Sequence, residues 1–146
     1  SDVYKRQYPA YFRALTEAGI AFRHEDILNL RDYSYRIAEM MPMLLERYTA
    51  AIVMYDFYAA ALAEAMREGG ITLGKEFSLA GFDGTKRARE LELTTAEQQV
   101  ERLAQEAIRL LAEGREQKNP VKIEIEPVCA FRASTGPVWQ QKKESK

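Results

Sequence analysis

The chain has 146 residues, 47% of them hydrophobic, with a formal net charge of -1 and a pI near 6.0. This composition suits one modest globular unit with a core of its own, and the overall charge shows no nucleic-acid footprint. One cysteine excludes an internal disulfide, one histidine excludes a histidine metal cluster, and the lack of an apolar run of about 18 residues excludes a transmembrane helix.

The first half of the chain alternates between helical and extended patterns. Residues 8–17 have apolar side chains at helical spacing, and Gly19 suits the end of that helix. The segment DILNL (26–30) predicts a short strand. Apolar residues then recur at helical spacing over 37–45, and the apolar run AAIVMY (50–55) is short enough to be a buried strand.

The second half begins with the same alternation. Residues 56–68 predict a helix that ends at Gly69, and FSLAGF (77–82) predicts the next strand. Thr95 and Gln98 stand in the order Thr-x-x-Gln, which is typical of a capping box at the start of a helix.

The last part of the chain completes the pattern. Apolar residues recur at helical spacing over 96–113, and Gly114 suits the end of that helix. VKIEIE (121–126) alternates like a half-buried strand, and VCAF (128–131) predicts a final strand. Helices and strands that alternate in this way predict an α/β fold, with a parallel sheet and helices on its faces.

Ligands of parallel α/β sheets bind beyond the carboxyl ends of the strands, and this rule selects four positions. Tyr33 follows the first predicted strand, and Asp83 follows the third. Tyr55 and Asp56 stand at the end of the second. Asp83 is expected to accept hydrogen bonds from ligand hydroxyls, with a loop-closing Asx turn as the alternative. Asp56 is a ligand contact or a helix N-cap, and the tyrosines stack on a ligand ring or pack at the edge of the core.

No catalytic, metal-binding or cofactor-binding constellation emerges from the sequence. His24 lies in a polar run with no serine or cysteine placed to use it, and Cys129 falls inside a predicted strand. The hypothesis of a small α/β enzyme therefore depends on Asp56 or Asp83, without a nucleophile and base placed together.

The stretch TAAIVMYDFYAAALAEAMREGGITLGKEFSLAGFDG (49–84) resembles the effector-domain core of LacI/GalR-family transcriptional regulators. LTTAEQQVERLAQEAIRLLAEG (93–114) resembles the family's Leu-Thr-Thr-x-x-Gln helix, and PVCAFRASTGP (127–137) resembles its closing Arg-x-Ser-Thr segment. YFRALTEAGI (11–20) matches the family helix that ends in Ala-Gly-Ile. These motifs occur in the family's order, and the match spans about residues 8–138.

The resemblance implies a type I periplasmic-binding-protein-like fold, with two α/β lobes and a ligand cleft between them. It implies that this chain is truncated to the C-terminal lobe plus the returning segment of the N-terminal lobe. The expected boundaries are 8–92 for the C-terminal lobe, 93–127 for the returning segment and 128–138 for the final strand, with tails at 1–7 and 139–146.

The resemblance also implies binding rather than catalysis, in the cytoplasm and away from membranes. The expected partners are a small, sugar-like effector and a second copy of the chain in a homodimer. DNA would be bound only through an N-terminal helix-turn-helix that this chain lacks. The alternative is a fragment of a sugar-transporter solute-binding protein, which shares the fold, although the ending FRASTGP (131–137) favours the regulator.

Ligand-binding residues carry over from the resemblance one position at a time. The Asp of the family's Gly-Phe-Asp motif falls on Asp83, and a family aromatic residue falls on Tyr33. The Gln of Leu-Thr-Thr-x-x-Gln falls on Gln98, near the expected hinge. Tyr55 replaces the family's Asn before Asp56, which leaves the effector class open.

Two further positions depart from the family pattern. Gly84 replaces the second Asp of the Gly-Phe-Asp-Asp motif, which is expected to loosen that loop. The Arg that the family has at the start of the first helix falls on Gln7 by spacing, with Arg6 one position away.

Overall fold

The computed structural model describes residues 2–29, 36–113 and 121–137. Within these ranges the helices are α1 (Asp2–Glu17), α2 (Met41–Arg47), α3 (Asp56–Glu68), α4 (Lys86–Glu90) and α5 (Val100–Glu113). The strands are β1 (Ala50–Ile52), β2 (Ser78–Asp83), β3 (Thr94–Glu97) and β4 (Val128–Ala130). Short 3-10 turns lie at His24–Asp26 and Ile37–Met40. The predicted α/β fold is therefore confirmed.

Within the described residues, the strands form one four-stranded sheet in the order β1-β2-β3-β4. β1 is parallel to β2, and β2 is parallel to β3 with Asp83 opposite Glu97. β4 runs antiparallel to β3 and places Val128 opposite Glu97. The predicted parallel sheet is thus correct for the first three strands. β4 is reversed because the chain re-enters the sheet at the end where β3 leaves it.

The core lies between α3 and the sheet. Apolar residues recur along α3 at intervals of three or four, so they share one face, and the buried members of that face are Ala59, Leu62, Ala63 and Met66. They belong to the same buried cluster as Phe77, Leu79 and Leu93. Each large apolar side chain contributes about 1.5–3 kcal/mol when fully buried, so this cluster is what holds α3 against the sheet.

The strand predicted for DILNL (26–30) is wrong over its described residues. Asp26 lies in a 3-10 turn, residues 27–29 have no regular secondary structure, and Leu30 lies outside the described residues. Arg23 donates two hydrogen bonds to the Asp26 carboxylate, from Nε at 3.0 Å and from Nη2 at 2.9 Å, and this bonding lowers the pKa of the Asp26 carboxyl. A local charge pair therefore closes a turn where the apolar pattern predicts extended chain.

The capping box predicted at Thr95 and Gln98 is also wrong. Thr95 lies in β3, which is hydrogen-bonded to β2 on one side and to β4 on the other, and α5 begins only at Val100. The Thr95 hydroxyl donates to Asp56 Oδ1 at 2.7 Å instead of capping a helix. Pairing on both edges of the segment outweighs the local preference for a cap.

The strand predicted for VKIEIE (121–126) is absent, because these residues have no regular secondary structure. They run beside α5, and an open groove of about 320 Å³ between the two has apolar walls that include Leu103, Leu110 and Ile123. No residue of α5 is buried. The alternation in 121–126 therefore reflects contact of one side with α5 and not pairing within a sheet.

Candidate functional site

The carboxyl ends of the parallel strands meet at one edge of the sheet. Asp83 is the last residue of β2 and lies opposite Glu97, the last residue of β3. Tyr55, three residues after β1, is extended and stands at the N-cap of α3. Ligands of α/β sheets bind beyond this edge, so these residues form the candidate site.

Asp83 and Gln98 contact each other directly. Gln98 Nε2 donates to Asp83 Oδ1 at 2.5 Å, and the Gln98 backbone N–H donates to the Asp83 carbonyl at 3.3 Å. Asp83 has a φ of 130°, which is unusual for a residue with a side chain and costs about 1–3 kcal/mol. The structure therefore brings together two of the predicted site residues in a backbone conformation that needs outside support.

Asp56 supplies that support from behind the edge of the sheet. The residue is 0% exposed, and its Oδ2 accepts hydrogen bonds from the backbone N–H groups of Gly84 at 2.9 Å and Thr85 at 2.8 Å. Its Oδ1 accepts from the Thr95 hydroxyl at 2.7 Å. Hydrogen bonds to a charged group contribute about 1.5–3 kcal/mol each, which is enough to offset the strain at Asp83.

The N-cap interpretation of Asp56 is wrong. Tyr55 is the N-cap residue of α3, without a side-chain cap, and Asp56 is the first residue of the helix. The Asp56 carboxylate bonds the loop after β2 and a residue of β3 rather than the amides of its own helix. Its negative charge still lies at a helix N-terminus, where the helix dipole favours it.

Two glycines leave the space in which these carboxylates sit. A Cβ on Gly81 would overlap Asp56 Oδ1. A Cβ on Gly84 would lie 2.7 Å from Glu97 Cγ, and Gly84 also has a φ of 80°. Gly84, which stands where the family has its second Asp, thus leaves room for the Glu97 side chain.

An ion pair at the same edge was not predicted from the sequence. Arg132 Nη2 lies 2.7 Å from Glu97 Oε1, and Arg132 Nη1 donates to the Leu93 carbonyl at 2.8 Å. The side chains are 17% exposed for Arg132 and 29% for Glu97. The two residues are 35 positions apart, and only the antiparallel register of β4 brings them together.

Of the two tyrosines predicted for the site, the structure describes only Tyr55. Tyr55 is half-buried, and its ring meets Tyr58 edge to face with the centroids 6.1 Å apart. Tyr33 lies outside the described residues. The roles of both tyrosines, and of Asp83, Asp56 and Gln98 as ligand contacts, stay predictions.

The beginning of α1 contacts the residues just after β1 and the segment 121–126. Gln7 Nε2 donates to the Met54 carbonyl at 3.4 Å, and Arg6 Nη1 lies 3.6 Å from Glu124 Oε1. Lys122, which bonds Glu124, and then Arg6 lower the pKa of the Glu124 carboxyl. Gln7 stands where the family has an Arg at the start of this helix, and here its side chain bonds the Met54 carbonyl.

Metal and membrane sites find no support in the part of the chain that the structure describes. There, no group of three or more His, Cys, Asp and Glu side chains is arranged to hold a metal ion. No helix in the same ranges has the length and apolar character needed to cross a bilayer.

Residues 2–135 match the family model described as a periplasmic binding protein-like domain. The chain is 29% identical over 137 residues to the HTH-type transcriptional repressor PurR of Mannheimia succiniciproducens. The aligned region covers 89% of this chain and 41% of the repressor. The chain thus spans about two fifths of the length of that relative.

Two solved structures share the fold over nearly all of the chain. A probable transcription regulator from Thermus thermophilus is 30% identical, with a TM-score of 0.70 over 86% of this chain and 50% of its own. A sugar-binding transcriptional regulator of the LacI family from Escherichia coli, complexed with phosphate, is 27% identical. Its TM-score is 0.68 over 87% of this chain and 48% of its own.

Proposed function

Since the chain belongs to the family of periplasmic binding protein-like domains of LacI/GalR-type transcriptional regulators, we propose that it binds the small-molecule effector of such a regulator. The observation that carries the proposal is the contact of Asp83 with Gln98 at the carboxyl edge of the sheet. A carboxylate and an amide held together offer several acceptors and a donor to one ligand. The edge is also where ligands of such sheets bind.

A sugar-like ligand suits these groups best. A carboxylate accepts hydrogen bonds from several donors, so ligand hydroxyls are the kind of group that Asp83 is suited to bind. Tyr55 offers a half-buried ring near the same edge, and Tyr33 is proposed as a second aromatic contact. The sugar-binding regulator of Escherichia coli, similar to this chain in fold and sequence, supports the same class.

Effector binding is proposed to act on the longer regulator by shifting the population of its two lobe arrangements. Such a shift is limited by the difference in effector affinity between the states, typically about 1–3 kcal/mol. DNA binding through an N-terminal helix-turn-helix, a homodimeric state and a cytoplasmic location are proposals for that longer protein. The name of the repressor from Mannheimia succiniciproducens favours them over a transporter solute-binding protein.

The test is a thermal-shift screen of sugars and purines on the complete regulator, followed by calorimetry. A compound that binds the native state raises its melting temperature by mass action. Asp83→Ala and Gln98→Ala should each lower the affinity for that compound, while Glu101→Ala, a change at an exposed residue of α5, should leave it unchanged. Equal affinity of the wild type and Asp83→Ala would remove Asp83 from the site. A screen without any stabilising compound would count against the function itself.

A further inference from the structure

We propose that Asp56 is a positioning residue, which holds Asp83 in its binding conformation without touching the effector. The inference rests on the proposed function for its meaning, since Asp83 is a ligand contact only if the chain binds an effector.

Burial and bonding leave Asp56 no route to a ligand. The residue is 0% exposed, and both of its carboxylate oxygens are engaged by donors of the protein. Gly81 lies so close that a Cβ there would overlap Oδ1, so the carboxylate is enclosed by backbone on that side. A group enclosed in this way influences a ligand only through the atoms that it holds.

The atoms that Asp56 holds belong to the loop that sets the direction of Asp83. Asp83 and Gly84 are consecutive residues with positive φ, 130° and 80°. The backbone N–H groups of Gly84 and of the next residue, Thr85, both donate to Asp56 Oδ2. Thr85 is also fixed on its other side, because its hydroxyl accepts from the Ala88 N–H at 3.2 Å. The loop is therefore anchored immediately behind Asp83.

The same carboxylate reaches the strand that carries Gln98. Thr95 of β3 donates to Oδ1, and Gln98 follows three residues later and bonds the Asp83 side chain. Asp56 thus ties α3, the loop after β2 and β3 together at one point. Loss of the carboxylate should free the loop and break the contact between Asp83 and Gln98 while the hydrophobic core remains.

The experiment is NMR on the complete 146-residue chain without ligand, comparing three variants. Asp56→Ala should speed hydrogen exchange at the Gly84 and Thr85 amides at least tenfold and shift the Gln98 side-chain NH₂ signal. The Leu79 amide, which is bonded to the Ser134 carbonyl in the core, should be unchanged. Asp56→Asn has the same shape and can still accept from both amides, so it should restore most of the protection.

Thr95→Val is the matched control, because it removes only the bond to Oδ1 and leaves Oδ2 on the loop. It should preserve protection at Gly84 and Thr85. If Asp56→Ala does not fold, Asp56→Leu takes its place, because it also lacks an acceptor for the two amides. Unchanged exchange at Gly84 and Thr85 and an unchanged Gln98 signal in the folded variant that lacks an acceptor at position 56 would overturn the proposal. No ligand is involved, so failure of the effector screen leaves this result standing.

Discussion

Arg132 Nη2 lies 2.7 Å from Glu97 Oε1, and this ion pair joins the last residue of β3 to the segment that follows β4. A second contact between the same two parts of the chain is the hydrogen bond from Gln99 Nε2 to the Glu126 carbonyl, at 2.5 Å. α5 and residues 121–125 lie in the chain between these two contacts, and no residue of α5 is buried. We expect these two polar contacts to help hold α5 near the sheet.

Arg132→Met should lower the free energy of unfolding by about 1–3 kcal/mol, because it leaves the Leu93 carbonyl and the Glu97 carboxylate without their donor. Glu97→Gln should cost less, since its amide oxygen still accepts from Arg132. Urea unfolding followed by circular dichroism measures both changes. No loss for Arg132→Met would show that the pair does not stabilise this part of the chain.

Gly84→Ala should destabilise the chain more than Gly70→Ala does. The two glycines have nearly the same φ, 80° and 81°, so the conformational strain of an added Cβ is matched, about 1–2 kcal/mol. Only Gly84 is crowded, with Glu97 Cγ at 2.7 Å from an added Cβ, whereas nothing lies within 4 Å at Gly70. Thermal unfolding of both variants gives the difference. A Gly70→Ala variant as unstable as Gly84→Ala would mean that φ alone sets the cost.

The 146-residue chain by itself should self-associate through α5 as its concentration rises. Val100 is 65% exposed, Leu103 42% and Leu111 78%, and burial of such side chains between two copies contributes roughly 1.5–3 kcal/mol each when complete. Leu103→Glu should shift the molar mass measured by light scattering back to that of the monomer. Gln105→Glu, on the exposed polar side of the same helix, is the matched control and should not.

A monomer at every concentration, with slow hydrogen exchange along α5, would indicate that the helix repacks on the sheet instead. A monomer whose α5 amides exchange freely would contradict both outcomes.

Local patterns in the sequence were sufficient for α3 and for the strand that ends at Asp83, whereas the short helix α4 was not predicted. α3 was predicted from the spacing of its apolar residues and from Gly69, which ends it, because helical hydrogen bonds form within one segment. β2 was predicted from an apolar run before Gly-Phe-Asp. The resemblance to LacI/GalR regulators rests on the same short motifs and is confirmed by the match over residues 2–135.

Tertiary structure decided everything whose partner lies far away in the chain. DILNL and VKIEIE have strand-like patterns, but a strand exists only where another strand supplies its hydrogen bonds, and over their described residues neither has one. Thr95 has the local signature of a helix cap and was placed in β3 because strands pair on both sides of it. Asp56 was predicted as a cap or a ligand contact, yet its donors come from positions 84, 85 and 95. A sequence displays what each residue can bond, and the fold alone brings the bonding groups within reach.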